Sequence, residues 1–452
     1  MQQVTLEHAL KTAMRAYLAR DLGQADAVCR TVLKVCPENA HALHILGAIA
    51  NDSGDLAGAY DLFKRTTIAD PVLADAFNNL SVVCRGLAKF DEAIDAAGCA
   101  IALDPRVAAY QNNLGIAHVY AARHPEARRA FERAIQTEPE FAEAHVSLAI
   151  VLLMLGELQE GWREHEWRWS TRNFTTPRRN FSRPQWTGQD LTGRTILLHA
   201  EQGYGDTFQF IRYAPLLAAR GARVLLQSPA DIAPLLCTAG GIDAILTGET
   251  SPPFDFHCPL LSVPLAYGTT LATIPATVPY LRADPQRVIA WADRFHSDHT
   301  HKIGLVWAGR PTHRNDRERS IMLQALAPLA GVPGVSFYSL QKGQACAQLR
   351  DEPTPFRVVD LDAELRSFLD TAAVIENLDL VISVDTSVAH LAGAMGHPVW
   401  VMLPHMPDWR WLLERRDSPW YPTMRLFRQR APNDWSAVVS DIASALKALP
   451  SR

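Results

Sequence analysis

Three stretches of this 452-residue chain set reactive side chains beside turns that present free backbone amides. In the first, the apolar run TILLHA (195–200) leads into Glu201-Gln202-Gly203-Tyr204-Gly205-Asp206-Thr207. Glycines at a strand-to-helix turn let backbone and ligand approach closely, so Gly203 and Gly205 are expected to border an acceptor group, with Asp206 where the helix begins. A carboxylate at that point can take the proton of an attacking hydroxyl or cap the helix, and one residue can do both. In the second stretch, DLVISVD ends at Asp385 and runs into Thr386-Ser387-Val388-Ala389-His390. A hydroxyl pair at a helix start, where amides and helix dipole point outward, suits an anion such as a diphosphate. His390 is read either as part of that anion site or as a hydrogen-bonded core imidazole. The third stretch is basic, with Arg310 after IGLVWAG, the run Arg314 to Arg319, and Gln341-Lys342-Gly343. Fixed cations at strand ends stabilise a departing diphosphate without a metal. Arg310 and Lys342 lead that group, because a charge run such as 314–319 is usually solvated surface.

Apolar runs that alternate with helical stretches must position these residues. TILLHA, ARVLLQS and AILTG, separated by helices near 206–220 and 230–239, read as βαβ units on a parallel sheet. The pattern restarts at KIGLVWAG and continues through VSFYSLQKG, RVVDL, DLVISVD and PVWVMLP. Two α/β lobes are therefore expected, at 194–285 and 300–452, with the helix at Trp435–Leu449 crossing back onto the first. The aromatic segment Met406-Pro407-Asp408-Trp409-Arg410-Trp411 follows PVWVMLP and either borders a ligand or packs. Asp360-Leu361-Asp362 spells a metal-binding D-x-D string, but no His or carboxylate cluster accompanies it, and no metal or other cofactor is expected.

Ahead of the lobes, Pro37, Pro71, Pro105 and Pro139 recur at intervals of 34. Leu46, Leu80, Leu114 and Leu148 share one column and Gly47, Ser81, Gly115 and Ala149 the next, while Ala25, Ala59, Ala93, Ala127 and Gly161 mark a second helix. That period and phase predict four to five tetratricopeptide repeats over residues 1–160, stacked as an all-α solenoid. Asn79 and Asn113 stand one repeat apart, so their amides either grip an extended peptide in the concave groove or satisfy a neighbouring helix. Between arm and lobes, residues 161–193 carry Trp162, Trp167, Trp169 and Trp186 among arginines and read as an ordered strap.

Composition narrows the function classes. With 44 basic against 48 acidic residues the formal charge is −4, which leaves no basic excess for nucleic acid. Seven cysteines without a C-x-x-C pair suggest reduced thiols. The start, Met1-Gln2-Gln3-Val4, lacks a signal-peptide pattern, and no apolar run reaches the roughly 18 residues of a membrane span, so a cytoplasmic address is expected.

The Gly205-Asp206 stretch resembles the opening motif of the lipopolysaccharide heptosyltransferases, glycosyltransferase family 9, and the block from Asp385 to Pro398 resembles their donor-side motif, D-[ST]-x-x-x-H-x-A-x-A-x-G-x-P. The resemblance covers roughly residues 190–450. It implies a glycosyltransferase B domain of two Rossmann-like lobes, with Asp206 as base and Asp385, Thr386, Ser387 and His390 at the nucleotide sugar. Ala392, Ala394 and Gly396 would serve packing. The Gln341-Lys342 pair resembles a phosphate-binding site of the O-linked N-acetylglucosamine transferases, whose asparagine-lined repeat arm the first 160 residues also resemble. Plain heptosyltransferases lack such an arm, so a protein acceptor is implied, by analogy with repeat-fused transferases that modify flagellin. A saccharide or lipid-linked acceptor, and a scaffold with an inactive transferase domain, stay open.

Overall fold

The computed structural model describes residues 5–450 except 249, 314, 352 and 355. Residues 1–4, on which the reading of the N-terminus rests, lie outside it. Two compact units emerge, a helical one made of Met1–Leu152 with Glu164–Thr171, and an α/β one made of Leu153–Arg163 with Arg172–Arg452.

The helical unit is built from paired antiparallel helices. Its elements are α1 (Leu6–Leu18), α2 (Leu22–Val35), α3 (Ala40–Asp52), α4 (Leu56–Ala69), α5 (Ala74–Gly86), α6 (Phe90–Leu103), α7 (Ala108–Tyr120), α8 (His124–Thr137) and most of α9 (Ala142–Met154). Each of the four periodic prolines stands three residues ahead of α3, α5, α7 or α9, in a loop where its missing N–H costs nothing. Asp21, Asn39 and Asp55 cap α2, α3 and α4 by accepting backbone N–H bonds at 2.9–3.0 Å. The small-residue columns follow from close helix approach. A Cβ on Gly47 would stand 2.8 Å from the Phe63 ring, and one on Gly115 2.4 Å from the Phe131 ring. At the same offset of 16, Ser81 answers to Ala97, so the larger residue of one helix is matched by the smaller of its partner.

The border expected at 160 shifts. Leu153, Met154, Leu158 and Trp162, from the end of α9 and from α10 (Leu158–His165), are buried in the α/β core. Glu164–Thr171 of the strap joins the helical unit, where Glu164 bonds His145 Nδ1 at 2.5 Å and Trp167 stacks on that imidazole at 4.1 Å.

The α/β unit holds two parallel sheets. β1 (Thr195–His199), β2 (Arg223–Gln227), β3 (Ala244–Leu246) and β4 (Phe256–Pro259) take the order β3-β2-β1-β4. β5 (His301–Val306), β6 (Val335–Ser339), β7 (Val358–Asp360), β8 (Leu380–Val384), β9 (Val399–Leu403) and β10 (Met424–Arg428) take the order β10-β9-β8-β5-β6-β7. Strands β4 and β10 add to those read from sequence. Strap residue Trp186 is fully buried and donates its backbone N–H to His257 O at 2.8 Å, so this tryptophan packs the first lobe.

The expected crossing of the last helix onto the first lobe is corrected. Val438, Val439, Ile442, Ala443 and Leu446 of the helix Trp435–Lys447 are buried with Ile303, Trp307, Leu326, Leu329 and Phe427 of the second lobe. Their spacing of three and four residues makes one apolar stripe, and the nearest uncovered apolar face is that of its own sheet. Among the described residues no helix is long and apolar enough to cross a membrane.

Candidate active site

Asp206 lies in the first turn of α11 (Tyr204–Phe210), which follows β1. It stands three residues past the N-cap Gly203, whose backbone N–H donates to Asp206 Oδ2 at 2.9 Å. The carboxylate thus caps its own helix from within, one of the two roles expected. Its other oxygen, Oδ1, accepts from Arg410 Nη2 of the second lobe. The left-handed residue of the turn is Gln202, at φ 59°, and neither Gly203 nor Gly205 takes that conformation. The need for glycine at 205 is steric. A Cβ there would stand 2.8 Å from His390 Cδ2, so α11 meets the second lobe through a position that admits no side chain.

At the end of β8, Asp385 is enclosed. Trp411 Nε1 donates to its Oδ2 at 2.9 Å, His390 Nε2 lies 3.7 Å from Oδ1, and Arg319 Nη1 donates to its backbone carbonyl at 2.9 Å. Burial alone would raise its pKa, but His390, Trp411 and the Arg319 charge outweigh burial and hold it well below the ordinary carboxylate range. His390 is 5% exposed, bonds Tyr421 Oη through Nδ1 at 2.9 Å and stacks on Trp411. It is thus a bonded core imidazole that also touches the site. Thr386 is the N-cap of the helix Ser387–Ala394 without capping it by its side chain, its Oγ1 instead lying 3.0 Å from Ser383 Oγ. The hydroxyls of Thr386 and Ser387 are half-buried at this helix start.

The basic candidates divide. Gln341 is 2% exposed and spent on the backbone, accepting from the N–H groups of Trp307 and Ala308 and donating to the carbonyls of Ala308 and Lys342. It fixes the turn after β5, and its amide has no group left for a donor substrate. Lys342 pairs with Asp362 at 2.6 Å, which also gives the D-x-D aspartate an occupation other than metal. Arg310 is exposed, its carbonyl accepts from the His313 N–H at 2.9 Å, and its side chain has no hydrogen bond or ion pair among the described residues. Arg314 lies outside the described residues. Arg319, in a run that reads as solvated surface charge, instead has a mostly covered side chain held by Asp316 at 3.3 Å beside Asp385. Nothing in its i,i+3 charge spacing distinguishes it from a solvated pair. Among the described residues no cluster of three or more His, Cys, Asp or Glu could hold a metal.

Arg410 also belongs to this place, although its aromatic neighbours Trp409 and Trp411 give it the sequence character of a packing segment. It is 7% exposed, donates through Nε to Gln209 Oε1 at 2.5 Å and through Nη1 to Asp408 at 2.9 Å, and lies over the Trp409 ring at 4.3 Å. Burial would weaken its charge, but Asp408, Asp206 and Asp385 together raise its pKa. Arg212 is a second buried link between the lobes, donating to the Trp420 carbonyl at 2.6 Å and to Tyr280 Oη at 2.7 Å. On the first lobe a cavity of about 540 Å³ opens past the ends of β1, β2 and β3, beneath Arg179 and Phe181 of the strap.

Residues 112–161 match the tetratricopeptide-repeat family model. The chain is also 25% identical over 472 residues to Protein FlbA of Caulobacter vibrioides, covering 89% of this chain and 78% of that protein. Among solved structures, MamA is 26% identical over 34% of this chain and 91% of its own, with a TM-score of 0.32. Pseudomonas aeruginosa PilF is 16% identical over 36% of this chain and 74% of its own, with a TM-score of 0.34.

Within the tetratricopeptide arm, side chains of successive repeats bond at a separation of 35 residues. Asn79 Nδ2 lies 2.9 Å from His44 Nε2, Asn113 Nδ2 donates to Asn78 Oδ1 at 2.7 Å, and Tyr110 Oη donates to Asp75 at 2.6 Å. The amide nitrogens of Asn79 and Asn113 are therefore engaged by the neighbouring repeat, as the second reading of these residues expects.

Proposed function

We propose that this chain is an inverting, metal-independent glycosyltransferase that moves a sugar from a nucleotide-sugar donor to a protein acceptor, such as flagellin, recruited by the tetratricopeptide arm. The observation that carries the reading is the meeting of Asp206 with the Asp385–His390 segment, through Gly205 against His390 and through Arg410. A carboxylate from one lobe and a helix start from the other thereby come to a single place at the carboxyl ends of two parallel sheets, the position where α/β folds bind nucleotides. Two such lobes support a glycosyltransferase B architecture.

In this reading the donor diphosphate lies at the start of the helix Ser387–Ala394, near the Thr386 and Ser387 hydroxyls. The acceptor oxygen attacks the anomeric carbon from the opposite side, and its proton passes to Asp206. As the new C–O bond forms, the bond to the diphosphate breaks, and the leaving oxygen keeps the electron pair. Arg319 and Arg410 offset that charge, with Arg310 and Lys342 further out. The cavity beneath Arg179 supplies room on the first lobe for the acceptor side.

Incubation with a panel of nucleotide sugars, followed by nucleotide release and by mass spectrometry of a candidate acceptor protein, tests the proposal. Release that depends on one sugar nucleotide and survives a strong chelator supports it. Release lost to chelator and restored by magnesium or manganese refutes the metal-independent mechanism, and no release from any donor refutes the enzyme.

A further inference from the structure

The cations at this cleft are largely engaged already. Arg319 pairs with Asp316, Lys342 with Asp362, and Arg410 with both Asp408 and Asp206. A diphosphate entering a site whose cations are already paired finds their N–H groups occupied, unless one carboxylate yields its arginine bond to it. Of these pairs only Arg410 with Asp206 joins the two lobes, and only it contains the proposed base.

We propose that Arg410 exchanges partners during the reaction: in the resting chain its Nη2 holds Asp206 Oδ1, and the diphosphate of a bound donor takes that N–H, releasing Oδ1 to receive the acceptor proton. The inference rests on the glycosyltransferase reading and adds an order to it, donor before acceptor chemistry. The geometry suits a change at one N–H alone. Arg410 keeps Nε on Gln209 and Nη1 on Asp408, and its plane stays over Trp409. Asp206 keeps Oδ2 on the Gly203 N–H, so the freed carboxylate does not swing away. Phosphate oxygens compete well for a guanidinium because their charge-assisted bonds are at least as strong as those of a carboxylate. An unliganded enzyme then carries a masked base, which limits wasteful proton exchange before the sugar is in place.

The test is a binding cycle on the full chain, with tryptophan emission as readout at fixed ionic strength. Inorganic pyrophosphate, UDP, GDP and ADP are titrated into wild type, Asp206→Asn, Arg410→Gln and the double variant. Asp206→Asn is expected to tighten pyrophosphate and the preferred nucleotide by about threefold or more, because the internal competitor for Nη2 is gone. Arg410→Gln is expected to weaken them about tenfold, and in its background Asp206→Asn should add nothing. Equal or weaker binding by Asp206→Asn overturns the exchange. So does a gain that persists without Arg410, which would report only the removal of a negative charge. Arg410→Lys keeps the charge and guards against misfolding of the glutamine variant; tightening by Asp206→Asn of wild-type size in that background also overturns the exchange, since it requires the guanidinium fork. Nucleotide binding of equal strength in wild type and Asp206→Asn refutes the exchange while leaving the glycosyltransferase reading intact. Pyrophosphate binding that follows the cycle, with no nucleotide bound by any variant, refutes the nucleotide-sugar reading and with it the exchange as a step of transfer, and no binding by any probe refutes both.

Discussion

Replacement of Gly205 by alanine isolates the contact on which the site depends. The new Cβ would stand 2.8 Å from His390 Cδ2 and 3.5 Å from Nε2. Carbon atoms rest at about 3.5–4.0 Å, so the shortfall is roughly 0.7 Å or more. The imidazole has little room to yield, since it is 5% exposed, bonded to Tyr421 and stacked on Trp411. Overpacking of this kind costs ~2 kcal/mol at the middle of its usual range, and the better helix propensity of alanine returns at most ~1 kcal/mol, which leaves a net loss of ~1–2 kcal/mol. Tryptophan emission during urea unfolding measures it, because nine of the eleven tryptophans belong to the α/β unit. The midpoint should fall by roughly 0.3–0.7 M for a slope near 3 kcal/mol per M. In a His390→Ala background the obstruction is gone, and Gly205→Ala should then raise the midpoint. A change of the same sign in both backgrounds would refute the steric argument.

Asp206→Asn should cut turnover about a hundredfold or more without weakening the donor, and full activity in a defined transfer assay would remove the base from the mechanism. Asn79→Ala combined with Asn113→Ala removes two bonds between repeats, each worth ~0.5–1.5 kcal/mol, so the arm should melt earlier by circular dichroism and acceptor capture should weaken, while slow donor hydrolysis persists. Unchanged melting and normal transfer would show the ladder to be idle. Acid stability gives a fourth check. Burial lowers the pKa of His397 from 6.5 to about 4, so the fold holds its neutral form. Because the folded value lies below the unfolded one, this contribution is complete above about pH 6.5 and is lost progressively as pH falls towards 4, by at most ~3 kcal/mol. His397→Gln should flatten the pH dependence of the unfolding midpoint across that window, and an unaltered slope would exclude His397 as its source.

The repeats were legible because their cause is local: prolines at a fixed period end helices, and small residues at a fixed offset face rings. Eight strands were legible as apolar runs, whereas β4 ends on Pro259 and β10 is interrupted by Arg425 and Arg428 without a regular alternation, so neither reads as a strand. Within the site, Asp385 stood out because it directly follows an apolar strand, and Asp206 because it opens the helix that the glycine turn joins to one. The value of Arg410, and of Arg319 beside Asp385, depends on partners 204 and 66 residues away, Asp206 and the Asp385 carbonyl, which no local spacing encodes. Gln341 misled for the complementary reason. A polar residue beside a lysine at a strand end looks available for ligand, yet the amides of Trp307 and Ala308 had already claimed it.

The pairing of Gly47 with Phe63, Ser81 with Ala97 and Gly115 with Phe131 restricts how such an arm can change length over generations. Each pair lies inside one helical hairpin, so a recombination junction placed in the loops before α3, α5, α7 or α9 transfers matched partners together. A 34-residue deletion cut instead between the two helices of a hairpin would keep the period but set Gly47 opposite Ala97, leaving a space where a ring belongs, or Ser81 opposite Phe131, where a ring already fills it. Arms of this lineage are thus expected to grow and shrink in one phase only.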